Sequence, residues 1–511
     1  MSEVTDLVKR SLSEETRPTF ESRVAEQASA LRDAIAAGDL DNGEFAVGLE
    51  LEVYAVTRAD GNDWGALTPL SDAVFDSVAN KELGVHNAEI NTDPNVLDGD
   101  GLAAQADSIA ERFEAAQQAA RDHCEELVPD AMWTVPPTDG SEHYLCSHER
   151  DQGVSIAEHM RPDPRYIAID NEVLGLTGGG IDFSVPGAEH TFPSILFESL
   201  ATSIQPHLQI PSAEAFPVYY NTAIRTLGPV LAIATNSPFL PPDLYTDVDD
   251  PQRLVDQTHH ELRIAAFEQS VNESPSPKVR VPRDLDSATE VVDRVVADDC
   301  YAPFLREWLD DSERETFADD HWEFDYKRST YWRWLRCVIG GDPVGTGDER
   351  SLRIEYRPIP TQPTIRDVVG MQALTVGLIR GLVAADHPLR ELPWADAEAS
   401  FYSAVESGLD ADLAWVTADG ERTDDADAIY DEVFEYARRG LRESGIPAAD
   451  TDHYLAPIEA RWTAETTPST WKKARVRDHL SDGTSLAEAI ETMQRAYIEQ
   501  SRTLSSFAEW L

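Results

Sequence analysis

Glu50 and Glu52 stand two residues apart in an alternating run, Gly48-Leu49-Glu50-Leu51-Glu52-Val53, and three further runs share this design. They are Asn87-Ala88-Glu89-Ile90-Asn91, Gln205-Pro206-His207-Leu208-Gln209-Ile210 and Arg353-Ile354-Glu355-Tyr356-Arg357. A β-strand sends alternate side chains to opposite faces, so residues two apart share one side. Leu49, Leu51, Val53, Ile90, Leu208, Ile210 and Ile354 then form a core face. The other face carries Glu50 with Glu52, Glu89 with Asn91, His207 with Gln209, and Glu355 with Arg357. Carboxylates, one imidazole, amides and guanidinium groups converging on one cavity are suited to holding a divalent metal and phosphate. Mg2+ prefers oxygen donors in octahedral geometry, and a single imidazole also admits Mn2+.

A solvated strand face would look different in this chain, because solvating segments are almost wholly acidic, as in Thr423-Asp424-Asp425-Ala426-Asp427. The four runs mix acid, base, imidazole and amide.

The elements that must position these residues follow from periodicity. Residues 1–40 read as one or two amphipathic helices. From 44 to about 390 strands and helices alternate, with helices expected at 100–128, 213–235, 251–270 and 364–385. Asn236-Ser237-Pro238-Phe239-Leu240-Pro241-Pro242 ends a helix in a rigid loop. Beyond 391 the chain reads as helices only, at 396–408, 425–443, 450–465 and 484–509. This predicts an α+β fold with an N-terminal helical segment (1–43), a catalytic domain (44–390) and a C-terminal helical region packed on it (391–511).

Lys+Arg 42 against Asp+Glu 94 gives a net charge of −52 over 511 residues. Such a charge repels nucleic acid and anionic membrane surfaces, so neither is an expected partner. Hydrophobic residues make up 41 % of the chain, enough for a folded core despite the charge. Six cations are Lys (9, 81, 278, 327, 472 and 473) and the other 36 are Arg. This acidic, Lys-poor composition resembles that of cytoplasmic proteins of salt-accumulating haloarchaea, where repulsion is screened.

Cys124, Cys146, Cys300 and Cys337 have no CxxC spacing and read as reduced thiols. His143, Cys146 and His148 have ligand-like spacing, but no second half of a zinc site follows. The first 28 residues lack a signal-peptide pattern, and no window approaches the ~18 apolar residues of a membrane span, so a soluble cytoplasmic protein is expected. Leu176-Thr177-Gly178-Gly179-Gly180 and Gly340-Gly341-Asp342-Pro343-Val344-Gly345-Thr346-Gly347-Asp348 lack the Lys-Ser/Thr ending of a P-loop, so any nucleotide is held without a Walker cradle.

Taken in order, Gly48-x-Glu50-x-Glu52, Glu82 seven residues before Glu89, His207-Leu208-Gln209, Asn236-Ser237-Pro238-Phe239 and Leu352-Arg353-Ile354-Glu355-Tyr356-Arg357 resemble the glutamate–cysteine ligase family, including its carboxylate–amine ligase branch, within the glutamine synthetase superfamily. The resemblance covers about residues 44–385. It implies a curved antiparallel sheet forming an ATP funnel, with Mg2+ held by Glu50, Glu52, Glu82, Glu89, His207 and Glu355. It places Arg357 near the transferring phosphate and Arg263 as a second catalytic arginine. Gln209 and Arg353 are implied on the nucleotide side, Gln209 standing where the family pattern has His or Asn. The implied reaction joins the γ-carboxyl of glutamate to cysteine at the expense of ATP. Another amine acceptor, a non-catalytic nucleotide- or metabolite-binding relative, and phosphoryl transfer to a guanidino group are the alternatives. The insertions around 270–330 and the helical tail depart from the compact bacterial branch.

Overall fold

In the computed structural model, residues 2–58, 64–76, 78–246, 248–273, 277–309 and 316–511 are described. The centre is a curled, antiparallel sheet of nine strands. In chain order these are β1 (Ala46–Arg58), β2 (Trp64–Leu67), β3 (Ala79–Lys81), β4 (Asn87–Asn91), β5 (Asn95–Val96), β6 (Glu125–Val128), β7 (Ile204–Ile210), β8 (Leu335–Ile339) and β9 (Leu352–Tyr356). The main order is β8-β9-β7-β1-β4-β3, and β1 also pairs with β2, β5 and β6. The long strand β1 is therefore the axis of the sheet. Its first half meets β7, with Gly48 opposite His207 and Glu50 opposite Gln205. Its other edge meets β4, with Glu50 opposite Asn91 and Glu52 opposite Glu89.

The alternation expected from the sequence sets this register. Leu49, Leu51, Val53, Ile90, Leu208, Ile210 and Ile354 are all buried in the core. Shifting a strand by one residue would turn the carboxylates into that core, so the apolar face fixes which residues meet on the other.

Helices cover the sheet. Phe216–Ala234 and Ile365–Ala384 lie near the middle of the molecule, and Ile365–Ala384 packs against Ala426–Glu443. Their backbones approach closely: a Cβ on Gly381 would lie 1.9 Å from the Tyr436 carbonyl oxygen, and one on Gly440 would lie 2.0 Å from the Gly377 oxygen. Only glycine permits this contact. Ile365–Ala384 is also long and apolar enough to cross a membrane by length and composition, contrary to the expectation that no segment comes near. Its most apolar window is 83 % buried inside the protein, as befits a core helix.

Several element boundaries differ from the sequence expectation. The helix expected over 100–128 ends at Arg121, and Glu125–Val128 turns back as β6 to pair with β1. The helix expected over 251–270 is two, Pro251–Gln257 and Leu262–Val271, broken where Glu261 bridges to Ser237. The tail is not helical throughout, since Trp415–Val416 and Arg422–Thr423 form a short hairpin. It also contains an additional helix, Pro468–Ser481, which the charged, weakly periodic sequence concealed.

Four of the six lysines, Lys278, Lys327, Lys472 and Lys473, are buried. Lys472 donates to Asp130 Oδ1 at 2.5 Å and to the Asn236 carbonyl at 2.8 Å, in a pocket that also receives Gln494 from the tail. A buried charge persists only when it is paired and hydrogen-bonded, and these partners meet that requirement. The four cysteines form no disulfide.

Candidate active site

β1, β4, β7 and β9 bring the expected residues to one face. Oxygen or nitrogen atoms of Glu50, His207 and Glu355 lie within 4.8 Å of one another, and those of Glu52, Glu82 and Glu89 form a second such group. Both groups open onto cavities. A chamber of about 290 Å3 is lined by Glu50, Glu52, Glu82, Glu89, Glu198, Arg336 and Arg357, with Tyr166, Phe267 and Trp332 as its aromatic walls. A second chamber of about 410 Å3 is lined by Glu50, Asn91, Arg112, His207, Gln209 and Arg353. Glu50 lines both.

The three-carboxylate group is electrostatically incomplete. Burial, then the Glu89 and Glu52 charges, hold the Glu82 carboxyl well above its ordinary range. Burial, then Glu50 and Glu52, push Glu89 up to about 8. Glu52 is raised by burial too, although the Ser203 N–H donates to it at 2.6 Å and the Gln205 amide at 2.9 Å. Like charges crowded out of water destabilise one another until a cation joins them. The all-oxygen donor set fits a hard divalent ion such as Mg2+.

The second group is compensated within the protein. Glu355 accepts from Arg336 Nε at 2.5 Å and Nη2 at 2.8 Å, and from Arg357 Nη1 at 2.6 Å. Burial opposes its charge, but Arg336 and Arg357 outweigh burial and hold Glu355 well below the usual carboxylate range. Glu50 is likewise lowered: burial is overcome by His207, 3.1 Å away, and by Arg357. His207 Nε2 is buried without a hydrogen bond of acceptable geometry. An orphaned imidazole nitrogen facing two carboxylates fits an ion that tolerates one nitrogen donor.

Gln209 donates to the Glu44 carbonyl at 3.2 Å. Arg353 lines the larger chamber, and its side chain makes no hydrogen bond or ion pair among the described residues, with Nε buried and unpaired. Burial, then repulsion from Arg328, lowers its affinity for the proton. Arg263 does not line either chamber. Its guanidinium donates to the Pro358 carbonyl and, at 3.4 Å, to that of Arg357, while Nε lies 3.6 Å from Glu261. It holds the segment following β9. Asn236 is architectural, its amide bridging the Thr361 carbonyl and Tyr497. His143, Cys146 and His148 form no ligand-distance cluster among the described residues.

Sequence reasoning missed Arg336, Gln205 and Glu198. Arg336 is the single charge in Leu335-Arg336-Cys337-Val338-Ile339, and its register opposite Glu355 explains it. Gln205, opposite Glu50, accepts from Arg357 at 2.6 Å. Glu198 sits in a 3-10 turn among apolar residues, and burial, then Glu52, push it up to about 8. Nothing in its local sequence marks it.

A family model described as glutamate-cysteine ligase family 2 matches residues 46–500. No curated protein matches the chain. Among solved structures, a glutamate–cysteine ligase from Francisella tularensis in complex with AMP is similar at 13 % identity and a TM-score of 0.50, covering 91 % of this chain and 90 % of that one. A bifunctional glutathione synthetase from Pasteurella multocida is similar at 13 % identity and a TM-score of 0.50. That alignment covers 90 % of this chain and 53 % of the bifunctional protein, about half its length. At such identities these likenesses establish the shared fold.

Proposed function

The chain belongs to glutamate–cysteine ligase family 2, and on that premise we propose that it is an ATP- and Mg-dependent carbon–nitrogen ligase joining the glutamate γ-carboxyl to cysteine through a γ-glutamyl phosphate. The observation that carries this reading is the position of Glu50 between two chambers, with one carboxylate-rich group reaching into each. A reaction that moves a phosphoryl group from one bound substrate to another requires such a shared wall.

The larger chamber suits the nucleotide, because its unpaired Arg353 guanidinium matches a phosphate oxygen pair. The smaller chamber suits the amino acids: Arg336 and Arg357 supply cations, and Phe267 and Trp332 supply apolar surface. Glu52, Glu82 and Glu89, with Glu50, His207 and Glu355, would hold Mg2+, which when bound neutralises the oxygens of the transferring phosphoryl group. Arg357 is fixed by Glu355 on one side and Gln205 on the other. Held this way, its guanidinium meets developing negative charge without reorganising. The acyl phosphate is then attacked by the amine, giving the amide and releasing phosphate.

Incubation with glutamate, cysteine and MgATP should yield γ-glutamylcysteine, ADP and phosphate, resolved by chromatography. AMP and pyrophosphate would replace the acyl-phosphate route with an adenylate. ADP formed with another amine, but not with cysteine, would keep the chemistry and change the acceptor.

A further inference from the structure

A third cavity, of about 470 Å3, lies outside the two catalytic chambers. It is bounded by the C-terminal end of helix Leu262–Val271, the segment 277–283 and one face of helix Trp394–Ser407. Its charged lining consists of Arg280, Arg283, Glu268 and Glu398, and its aromatic lining of Trp394 and Tyr402.

The arginines are unusual for this chain. With a net charge of −52, carboxylates are abundant everywhere. Yet, among the described residues, half-buried Arg280 makes no hydrogen bond or ion pair through its side chain, and Arg283 forms no ion pair. Arg280 shares this solitude with Arg353, which lines the larger catalytic chamber. Burial, then Arg333, lowers the proton affinity of Arg280 against the opposing Tyr331 and Asp298, and Arg283 adds to the lowering. Arg283 lies with its guanidinium carbon 3.2 Å from the Trp394 ring centroid, and Trp394 is pinned by its Nε1 donating to the Pro282 carbonyl at 2.6 Å. The stacked cation is thus held at the cavity wall on a fixed ring.

The opposite wall is acidic and partly satisfied. Trp334 Nε1 and the Tyr402 hydroxyl both donate to Glu268 Oε1, each at 2.8 Å, and Oε2 has no donor among the described residues. Burial, with a contribution from Glu398, pushes Glu268 up to about 7, and burial raises Glu398 as well, with Arg283 and Arg280 opposing it. Two cations, two carboxylates and two aromatic rings therefore share one small space.

From this arrangement we infer a second ligand site that takes an α-amino-acid zwitterion, its carboxylate on Arg280 and Arg283, its ammonium on Glu268 and Glu398, and its side chain against Trp394 and Tyr402. The charge pattern selects this class. A simple anion would leave the carboxylates opposed to it, and a simple cation would leave the arginines so. The volume is adequate for one amino acid with some hydration. The site is distinct from the catalytic chambers but adjoins them: Glu268 follows Phe267, and Trp334 accepts a hydrogen bond at its carbonyl from the Arg357 N–H at 3.1 Å.

The test is isothermal titration calorimetry of the full chain with each of the twenty protein L-amino acids and, separately, inorganic phosphate. Wild type is compared with Arg280→Ala/Arg283→Ala, Glu268→Gln and the catalytic-chamber variant Arg357→Ala. At least one amino acid should bind wild type and Arg357→Ala equally and the arginine-pair variant about 10- to 100-fold more weakly, as expected for lost hydrogen bonds to charged groups. Glu268→Gln should also weaken it. The milder pair Arg280→Gln/Arg283→Gln serves if the alanine variant does not fold. The inference is overturned if no amino acid distinguishes the arginine-pair variants from wild type. It is equally overturned if phosphate binds the arginine pair as tightly as any amino acid and Glu268→Gln leaves binding unchanged.

Discussion

His207 Nε2 lies 3.1 Å from Glu50 Oε1, although the two are diagonal rather than opposite in the β1–β7 ladder. The residue facing His207 is Gly48, whose missing side chain leaves the imidazole free to lean toward Glu50. On its other side His207 faces Glu355 across β9. The imidazole is thus shared between two carboxylates on the two strands flanking its own.

Arg357→Ala and Glu355→Gln should each lower turnover by ~10²–10³, the usual consequence of losing one preorganised electrostatic partner. Circular dichroism should remain that of the wild type. Steady-state ADP release is the measurement, and retention of more than about a tenth of activity would give the residue a lesser role.

Mg2+ should raise the melting temperature of the wild type, because an ion bound only by the folded state stabilises it by mass action. Glu89→Gln should melt no lower than wild type without metal, since it relieves crowding among Glu50, Glu52 and Glu82. It should gain little from added Mg2+. Equal gains in the two proteins would remove Glu89 from the ion site.

Lys472→Met leaves the buried Asp130 side chain without its cation, the Gln494 amide and the Ala131 N–H still donating to it. The expected loss is about 3–5 kcal/mol, read by urea unfolding. A loss below about 1 kcal/mol would mean that the pair contributes little beyond its desolvation cost.

Asp170 supplies a pH test. Burial raises its carboxyl to about 7, only partly opposed by the Ile195 N–H, which donates at 2.8 Å, and Oδ2 is buried without a partner. The folded state therefore holds a proton that the unfolded chain releases near pH ~3.9. Stability from this proton is fully present below that value and is lost as pH rises through about 7. Asp170→Asn should consequently gain in melting temperature relative to wild type as pH rises from about pH 4 to about pH 7. A constant difference across that range would contradict the assignment.

Salt should matter as much as any substitution. With −52 charges on one chain, raising KCl from about 0.1 M to about 3 M should raise the melting temperature, as the screening length falls from about 10 Å to below about 3 Å. An unchanged value would mean that the surface charges are spaced too widely to repel.

Much of the candidate site was legible in the sequence because period-two alternation identifies both the core face and the opposite, polar face of β1, β4, β7 and β9. What it could not supply was partnership between distant segments. Arg336 looks like an isolated polar residue until β8 is laid beside β9, and Glu198 belongs to a turn with no periodicity at all. Arg263 is a different case. Its role was implied by the family resemblance alone, and its guanidinium donates to the carbonyls of Arg357 and Pro358. Helix Pro468–Ser481 was hidden for a different reason: its buried face is built from Lys472, Lys473 and Ser469 as well as Trp471 and Val476, so polarity does not mark the inside.

Gln494 donates to Tyr54 on β1 at 2.9 Å, across 440 positions of chain. During synthesis the sheet that carries Glu50 and Glu52 therefore waits for the chain up to Gln494 before its rear is closed. A ribosome-bound chain stopped short of Gln494 presents Tyr54 and Asp130 without the side chain that joins them. Closure of this side of the sheet therefore comes after the strands themselves have been made.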